Sequence, residues 1–438
     1  MRSDQRQYFV AGFASIVALS SLYAAYKIHR RKKPSYAYDD DEEDSQGIII
    51  EDNRQIADGL QNASDTDTVA IECARSGYSG EIHDIKTTAT VRSLHAQGKC
   101  EFQNPGGSVK DRVALRIIQD AEDRGDLIPH TDSCIFEGTV GSTGISIAMV
   151  SKARGYRAAI IMPDDVSAEK ADILLKLGAE VEKVRPASII DKKQFVNLAK
   201  IRASQYTERK KKERESDDKD ALGTHKRTSR SVGYFADQFE RLSNWRAHYD
   251  GTAREIWSQT ENGSFDAFVS GAGTGGTISG CATYFKERND TIKIILSDPE
   301  GSGLYNRVKF GVMFASQEKE GTKRRHQVDS VVEGIGINRV TANFEQGSQN
   351  IDDAVRVSDE DAVAMSRYVM ANDGLFLGSS SACNLVAAVH TAKKMEKGTS
   401  IVTILCDSGS RHLSRFWDDN RLNELGITVK QDIDHLLI

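Results

Sequence analysis

The sequence predicts an α/β protein built on a largely parallel sheet with helices on both faces. Three observations support this fold class. Apolar runs of strand length alternate with runs of helical periodicity from about residue 100 onward, glycine-rich loops follow several of the strands, and 438 residues suffice for two or three domains. Alternating β and α units imply parallel strands, and ligands of such sheets bind at the carboxyl ends of the strands, where these loops lie.

Composition narrows the class of function. The chain is 39% hydrophobic and 28% charged, as globular proteins are. Its formal net charge of −6 provides no basic field, so nucleic acid is not an expected partner. The six cysteines are scattered, without a CxxC pair or a Cys/His cluster at zinc spacing. We therefore expect no metal site and no disulfide framework, and a reducing compartment is the simplest environment.

The N-terminal region predicts a membrane anchor. After a short tail, residues 1–7, the segment 8–26 carries no charge and has the length that crosses a hydrocarbon core. The basic cluster at 27–33 follows it, and the positive-inside tendency then places the rest of the chain in the cytosol. We thus expect a transmembrane helix with a cytosolic catalytic part, the mitochondrial outer membrane being one candidate location, while a mitochondrial presequence stays the alternative. Residues 27–60 are predicted to form a linker that is basic and then acidic.

Residues 61–99 fit no element, because they show neither strand alternation nor helical periodicity. Two explanations stay open. The segment is either a divergent part of the fold or the result of an error in the gene model, such as a frameshift or a missed splice site.

From residue 100 the periodicity becomes regular. Residues 100–185 predict a smaller, mobile domain, in which a helix (112–125), a strand (133–139) and a second helix (142–156) precede two strands joined by a helix. Residues 186–232 are mostly charged and polar, so they are predicted to form an exposed insertion.

Residues 233–425 predict a larger domain. Its first clear unit, 265–289, runs from a strand through a glycine loop into a helix, and further strand and helix units follow. Residues 426–438 are predicted to be a C-terminal tail.

The loop "GAGTGGT" (271–277) is a candidate phosphate site. It satisfies G-x-G-x-x-G through Gly271, Gly273 and Gly276, between a strand and a helix, which is the dinucleotide-binding pattern. Physically the pattern states only that backbone N–H groups and a helix N-terminus face an anion, so any phosphate group would fit.

The stretch "NPGGSVKDR" places Lys110 at the start of a helical run. The positive end of a helix dipole disfavours an ammonium group, and loss of water adds to that effect. A neutral amine is the nucleophile that forms a Schiff base. The sequence therefore indicates a catalytic role for Lys110.

Several motifs occur together in a fixed order. They are "NPGGSVKDR", "GTVGSTGISIA", "YFADQFE", "SGAGTGGTISG", "EGIG" and "GLFLGSSSA". With these motifs, the chain from about residue 100 to 415 resembles the cysteine synthase family. This family comprises the O-acetylserine sulfhydrylases and their cystathionine β-synthase relatives. The resemblance implies a two-domain, fold type II pyridoxal-phosphate enzyme of the tryptophan synthase β kind, with parallel-sheet αβα domains.

The resemblance also implies roles for individual residues. Lys110 would form the internal aldimine with pyridoxal 5′-phosphate and then remove the Cα proton of the substrate. Ser142 stands where the family loop has an asparagine that contacts the 3′-oxygen of the cofactor, and Val140 replaces a serine of that loop. The implied cofactor-binding residues are Ser142, Gly273, Thr274, Gly275, Gly276, Thr277 and Ser380, and the implied substrate-binding residues are Thr139, Gly141, Thr143 and Gln238. Ser380 would contact the pyridine nitrogen, and Ser381 is the alternative for this role.

The implied reaction is β-replacement. O-acetylserine would lose acetate to give an aminoacrylate, and sulfide would add to form cysteine, in a homodimer whose partners are a small amino acid and sulfide. Cystathionine β-synthase and cysteine desulfhydrase activities share every motif, and an inactive membrane-tethered homologue is a further alternative. A nicotinamide-dependent dehydrogenase would rest on the glycine loop alone and leaves "NPGGSVKD" unexplained.

Overall fold

The structure is a computed structural model, and it describes residues 82–85, 95–188, 190–220, 230–314 and 330–437. All of these residues belong to one compact unit of the chain, which extends from Asp65 to Ile438.

Ten strands form two sheets in the described part of the chain. Their bounds are β1 Ile82–Ile85, β2 His95–Cys100, β3 Cys134–Gly138, β4 Arg157–Pro163, β5 Glu180–Val184, β6 Gly233–Phe235, β7 Ala267–Gly271, β8 Lys293–Pro299, β9 Asp353–Val357 and β10 Ser400–Leu405.

Helices connect and cover these strands. Their bounds are α1 Lys110–Asp123, α2 Ser142–Ala153, α3 Ala168–Lys176, α4 Phe195–Asp220, α5 Ser243–Ala247, α6 Ala253–Gln259, α7 Gly276–Lys286, α8 Leu304–Phe310, α9 Ala342–Glu345, α10 Asp359–Asp373, α11 Ser379–Lys394, α12 Asp419–Glu424 and α13 Asp434–Leu437.

The larger sheet has the order β1-β2-β10-β7-β8-β9, and only the β1–β2 pair within it is antiparallel. Side chains that follow one another along β7 point to opposite faces. Phe268 packs on one face against Phe285 of α7, and Val269 packs on the other face with Leu385 of α11. Both faces are therefore covered, as parallel sheets require.

The smaller sheet has the order β5-β4-β3-β6, and all its pairs are parallel. Every residue of β3 is buried. Ile135 packs with Ile117 of α1, while Phe136 packs with Tyr206 of α4 on the opposite face. The prediction of an α/β fold with parallel sheets and helices on both faces is confirmed.

Helix α10 shows how the sequence sets the ends of an element. The hydroxyl of Ser358 accepts a hydrogen bond from the Asp361 N–H at 3.1 Å, which is an N-cap. Three acidic residues occupy the first turn, where they complement the helix dipole. Gly374 ends the helix with φ +68°, a left-handed conformation that favours glycine.

The segment 61–99, which fits no pattern in the sequence, contains β1 and most of β2. Lys99 of β2 is fully buried, and its ammonium group lies 2.8 Å from the Glu255 carboxylate and donates to Gln259 at 2.9 Å. A strand whose buried positions include a paired lysine carries no apolar run, so hydrophobic periodicity does not reveal it.

The segment 186–232, predicted to be an exposed insertion, contains α4. The first half of this helix is core, since Ala199 and Ala203 are buried and the Tyr206 hydroxyl donates to the Asp132 carbonyl at 2.7 Å. The dense run of charged residues begins only at Glu208, after this half.

Among the described residues, no helix is both long enough and apolar enough to cross a membrane. The 26 residues of α4 have the length, but its many charged side chains would not enter hydrocarbon. This finding corrects the predicted membrane-anchored location with a cytosolic catalytic part, including the mitochondrial outer membrane. The predicted span 8–26 itself lies outside the described residues.

Candidate active site

A cavity of about 570 Å³ lies where loops from both sheets meet. Thr139 directly follows β3, Gly273 follows β7, and Cys406 and Asp407 follow β10, and all four line the cavity. The cavity therefore lies at the carboxyl ends of parallel strands, as the fold class predicts.

Lys110 is the first residue of α1 and lines this cavity. The loop before it is fixed to the end of β10, because the Val109 N–H donates to the Cys406 carbonyl at 3.1 Å. Burial lowers the pKa of Lys110, against the opposing effects of Cys406 and Asp407. The amine is thus more readily neutral, and so more nucleophilic, than that of an exposed lysine.

The turn before Lys110 requires glycine and is held by Asp111. Gly107 has φ +77°, which is left-handed backbone. The Gly106 N–H donates to one oxygen of Asp111 at 2.5 Å, and the Ser146 hydroxyl of α2 donates to the other at 2.5 Å. The aspartate that follows the lysine therefore ties the lysine loop to α2.

The loop 273–277 approaches its neighbours so closely that side chains do not fit. A Cβ on Gly273 would lie 2.2 Å from the Gly334 carbonyl oxygen, and one on Gly275 would lie 2.4 Å from Phe344. Gly275 also has φ +86° and precedes the first residue of α7. The N–H groups of the first helical turn have no intrahelical acceptor, which makes this loop suitable for an anion.

Polar side chains behind the loop fix its two threonines. The amide of Asn244 donates to the Thr274 hydroxyl at 2.8 Å. The Thr277 hydroxyl is hydrogen-bonded to Nε2 of His248 at 3.2 Å, and Nδ1 of that ring contacts the Thr252 hydroxyl at 3.0 Å. Burial holds the pKa of His248 well below its usual range, so the ring is neutral at physiological pH.

The loop after β3 turns into α2 at Gly141, whose φ of 145° favours glycine. The Gly141 N–H donates to the Thr139 hydroxyl at 3.2 Å. The Thr143 hydroxyl donates to the side-chain oxygen of Gln238, which comes from the segment after β6. Three residues predicted to bind substrate, Thr139, Thr143 and Gln238, thus lie together on the cavity wall.

Gln238 is positioned by Glu137, which the sequence did not single out. Glu137 is fully buried, and the Gln238 N–H donates to its carboxyl group at 3.3 Å. Burial, and then the charge of Asp237, raise the pKa of Glu137 to about 8. This carboxyl group is therefore mostly neutral at pH 7.

The three serines at the start of α11 have different environments. The Ser379 hydroxyl accepts from the Glu333 N–H at 2.9 Å, and the Ser381 hydroxyl accepts from the Cys406 N–H at 2.8 Å. Ser380 alone of the three lines the cavity. Of all the residues predicted for the site, only Gly141 and Gly276 are not part of the cavity lining, although their neighbours are.

A charged wall of the cavity, which we define as Lys170, Glu333, Asp407, His412 and Arg415, was not predicted as a site. Glu333 binds Lys170, lies 3.2 Å from Nδ1 of His412 and lies 3.1 Å from Nη1 of Arg415. Nε2 of His412 lies 3.2 Å from Asp407. The motif "EGIG" contains Glu333, and the segment "SGSRHLSRFW" (408–417) contains His412 and Arg415. No spacing rule in the sequence reveals that these polar residues are in contact.

Opposite charges set the ionisation of this wall. Burial alone would raise the pKa of Glu333, but the hydrogen bond from His412 and the charge of Lys170 lower it well below its usual range. Burial alone would lower the pKa of His412, but Asp407 and Glu333 raise it. The wall therefore consists of acidic and basic groups in direct contact, each of which favours the charged form of its neighbour.

Comparison with known proteins identifies the family. The model of the family "Pyridoxal-phosphate dependent enzyme" matches residues 49–407, a range that begins upstream of the segment left unplaced by the sequence patterns. "Cysteine synthase 2" of Emericella nidulans is 55% identical over 76% of this chain and 76% of its own length, and "Cysteine synthase 2" of Schizosaccharomyces pombe is 48% identical over 85% and 91%. The crystal structure of O-ureido-L-serine synthase superposes with a TM-score of 0.60 and 27% identity, over 74% of this chain and 88% of that one. The expected resemblance is confirmed, and the chain belongs to the family of pyridoxal-phosphate-dependent enzymes.

Proposed function

We propose that this enzyme is a cysteine synthase that replaces the acetate group of O-acetylserine with sulfide. The observation that carries the proposal is Lys110, a desolvated lysine that lines the same cavity as the glycine loop 273–277. The printed names of the curated relatives support the reaction, and the family supports the cofactor.

The residues around the cavity fit pyridoxal phosphate. The loop 273–277 offers backbone N–H groups in a space that a Cβ would fill, which suits a phosphate group. The Ser380 hydroxyl suits the ring nitrogen, and Lys110 supplies the amine that bonds the cofactor. When bound, the cofactor withdraws electrons from Cα of the amino acid, so that the Cα proton can be removed and the β-substituent can leave.

Lys110 has two roles in this proposal. Its neutral amine would hold the cofactor in the resting enzyme, and the same amine would accept the Cα proton of the bound amino acid. Both roles need the unprotonated form, which burial favours.

The loop after β3 binds the substrate carboxylate. The hydroxyls of Thr139 and Thr143, the amide of Gln238 and the backbone around Gly141 contribute hydrogen-bonding groups on one wall. Because Glu137 is mostly neutral, it holds Gln238 without adding a negative charge that would repel the carboxylate.

The test compares the full-length chain with Lys110→Ala. We expect the purified enzyme to bind pyridoxal phosphate with a visible absorbance band and to form cysteine from O-acetylserine and sulfide. Lys110→Ala should lose the band and the activity, while Lys176→Ala, which removes an exposed lysine of α3, should keep both. A wild-type chain that is folded yet binds no pyridoxal phosphate would exclude an active enzyme and favour the inactive homologue.

Two further assays separate the related activities. Formation of cystathionine from serine and homocysteine would indicate a cystathionine β-synthase, and sulfide release from cysteine alone would indicate a desulfhydrase. Either rate above that of cysteine formation would overturn the proposed reaction while leaving the cofactor assignment in place.

We also propose that the enzyme is a homodimer, which the resemblance of its motifs to the cysteine synthase family supports. The molar mass from light scattering should be twice the 48.3 kDa of one chain. A mass of one chain at micromolar concentration would contradict this proposal.

A further inference from the structure

Arg411 is a buried cation that connects three distant parts of the chain beside the cavity. Arg411 is the last residue of the short helical turn Gly409–Arg411, which follows β10, and only 6% of its surface is exposed to solvent. Nη1 donates to the Ser142 hydroxyl at 3.1 Å, and Nη2 donates to the carbonyl of Gly106 in the lysine loop. The guanidinium group therefore joins the loop before Lys110 to the start of α2.

The charge of Arg411 is not neutralised by direct contact. Burial lowers the pKa of Arg411, against the opposing charges of Asp407 and Asp111. Among the described residues no carboxylate oxygen lies within 4.0 Å of the guanidinium nitrogens. Arginine stays protonated in proteins, so the group is a permanent positive charge. A buried charge without a contacting partner is unfavourable unless something nearby interacts with it.

Ser142 lies between Arg411 and the cavity. Its hydroxyl oxygen accepts from Arg411, and its own proton has no acceptor among the described residues. Ser142 lines the cavity at the first position of α2, so the hydroxyl can donate into the space beside Lys110. Accepting a hydrogen bond from a cation polarises a hydroxyl group and makes it a stronger donor.

We propose that Arg411 is a positioning residue that orients and polarises the Ser142 hydroxyl, which donates a charge-assisted hydrogen bond to an anionic oxygen held in the cavity. This inference rests on the proposed function, because the oxygen belongs to the bound cofactor or to its substrate. Two groups offer such an anionic oxygen, namely the ring oxygen of pyridoxal phosphate and the carboxylate of the amino acid.

The experiment measures two dissociation constants in the full-length chain. Pyridoxal phosphate is titrated into the apoenzyme and followed by quenching of tryptophan fluorescence. L-Alanine, which has no β-leaving group, is titrated into the loaded enzyme and followed by the change in cofactor absorbance. Neither measurement requires turnover.

The variants are Arg411→Gln, Ser142→Ala, the double variant and Arg411→Lys. Losing a hydrogen bond to a charged group should weaken one of the two ligands by about 10- to 100-fold in each single variant. The double variant should be no weaker than the worse single one, because Arg411 acts through Ser142. Arg411→Lys keeps the charge but not the two-pronged geometry, and should lie between wild type and Arg411→Gln. Arg124→Gln, which breaks an exposed ion pair with Asp126, is the control and should change neither constant.

Each outcome decides the proposal. Weaker pyridoxal phosphate binding supports the proposal with the cofactor oxygen as acceptor, and weaker alanine binding with unchanged cofactor binding supports it with the carboxylate as acceptor. Unchanged constants, or effects that add in the double variant, would overturn it. If Arg411→Gln fails to fold, Arg411→Lys and Ser142→Ala decide together, and wild-type constants in either variant would overturn the proposal. Removing the half-buried hydroxyl of Ser142 leaves the packing intact. A wild-type apoenzyme that does not bind pyridoxal phosphate would instead refute the proposed function.

Discussion

Replacing Glu333 by glutamine removes the carboxylate at the centre of the charged wall while keeping the shape of the side chain. Lys170 is 4% exposed and binds this carboxylate directly, so Glu333→Gln leaves a buried ammonium group without its charged partner. Breaking a buried ion pair by removing one member costs about 3–5 kcal/mol. Arg415 adds little to this sum, because its side chain is 33% exposed and an exposed pair contributes at most about 1 kcal/mol.

The loss should be measured as the thermal midpoint of the full-length chain at pH 7. Since about 1 kcal/mol shifts the midpoint by roughly 2–4 °C in domains of 150–250 residues, we expect a fall of about 6–20 °C. Glu345→Gln is the matched control, because Glu345 lies 4.0 Å from Arg307 in a pair whose members are 37% and 56% exposed. A fall no larger than that of the control would refute the view that Glu333 neutralises a buried charge.

The same variant has a predicted pH signature. The folded pKa of Glu333 is lowered from 4.5, so its stabilisation is present above that value and is lost as the pH falls through the lowered pKa. The folded pKa of His412 is raised from 6.5, so its stabilisation is present below that value and is lost as the pH rises through the raised pKa. In Glu333→Gln the alkaline loss should shrink, because His412 keeps only Asp407 as an acidic partner. An unchanged profile of midpoint against pH from 5 to 9 would contradict this coupling.

Three further predictions concern single residues of the site. Because the pKa of Glu137 is raised, the folded state binds one more proton than the unfolded state between pH 4.5 and 8, and its stability declines as the pH rises through this range. Glu137→Gln should abolish this decline. Denaturant titration at several pH values tests it, and a decline equal to that of the wild type would contradict it. Gly275→Ala should weaken pyridoxal phosphate binding at least 10-fold, because its Cβ would lie 2.4 Å from Phe344. Gly125→Ala is the control, since Gly125 has φ +75° but lies in open space. It should lower the free energy of unfolding by about 1 kcal/mol and leave binding unchanged in the same titration. Ser381→Ala should lower the free energy of unfolding by about 1–3 kcal/mol, because it leaves the Cys406 N–H without its acceptor. Ser380→Ala should instead lower activity with little change in stability, because Ser380 lines the cavity. Equal effects of the two variants on stability and on activity would contradict these separate roles.

The sequence predicted the parts of the fold that hydrophobic periodicity describes. Strands such as β3 and β7 are short apolar runs buried on both faces, and each is followed by a loop with a recognisable pattern. Most residues assigned to the candidate site by motif, including Lys110 and Ser380, line one cavity. The loops that carry Lys110, Thr139 and Gly273 follow the carboxyl ends of parallel strands, whereas Ser380 lies in the first turn of α11.

The sequence did not predict features that depend on partners far along the chain. Lys99 makes β2 polar, and its burial depends on two distant partners, the carboxylate of Glu255, 156 positions later, and the side chain of Gln259. The role of Arg411 could not be predicted either, because its hydrogen-bond acceptors, Gly106 and Ser142, lie some three hundred residues before it. Neither position has a local spacing rule, so their roles follow from tertiary contacts alone.

The place of β10 in the larger sheet determines when this protein can acquire its fold during synthesis. This strand, Ser400–Leu405, is the last to leave the ribosome, yet it joins β2 to β7 at the middle of the sheet. Contacts between the two ends of a chain form slowly, because a long loop must close before they gain any free energy. The nascent chain can assemble the smaller sheet early. The end of β10, where the Cys406 carbonyl holds the loop before Lys110, is in place only after nearly the whole polypeptide has emerged. A chain interrupted before Ser400 should therefore remain dependent on chaperones and be degraded, rather than persist as a partly active enzyme.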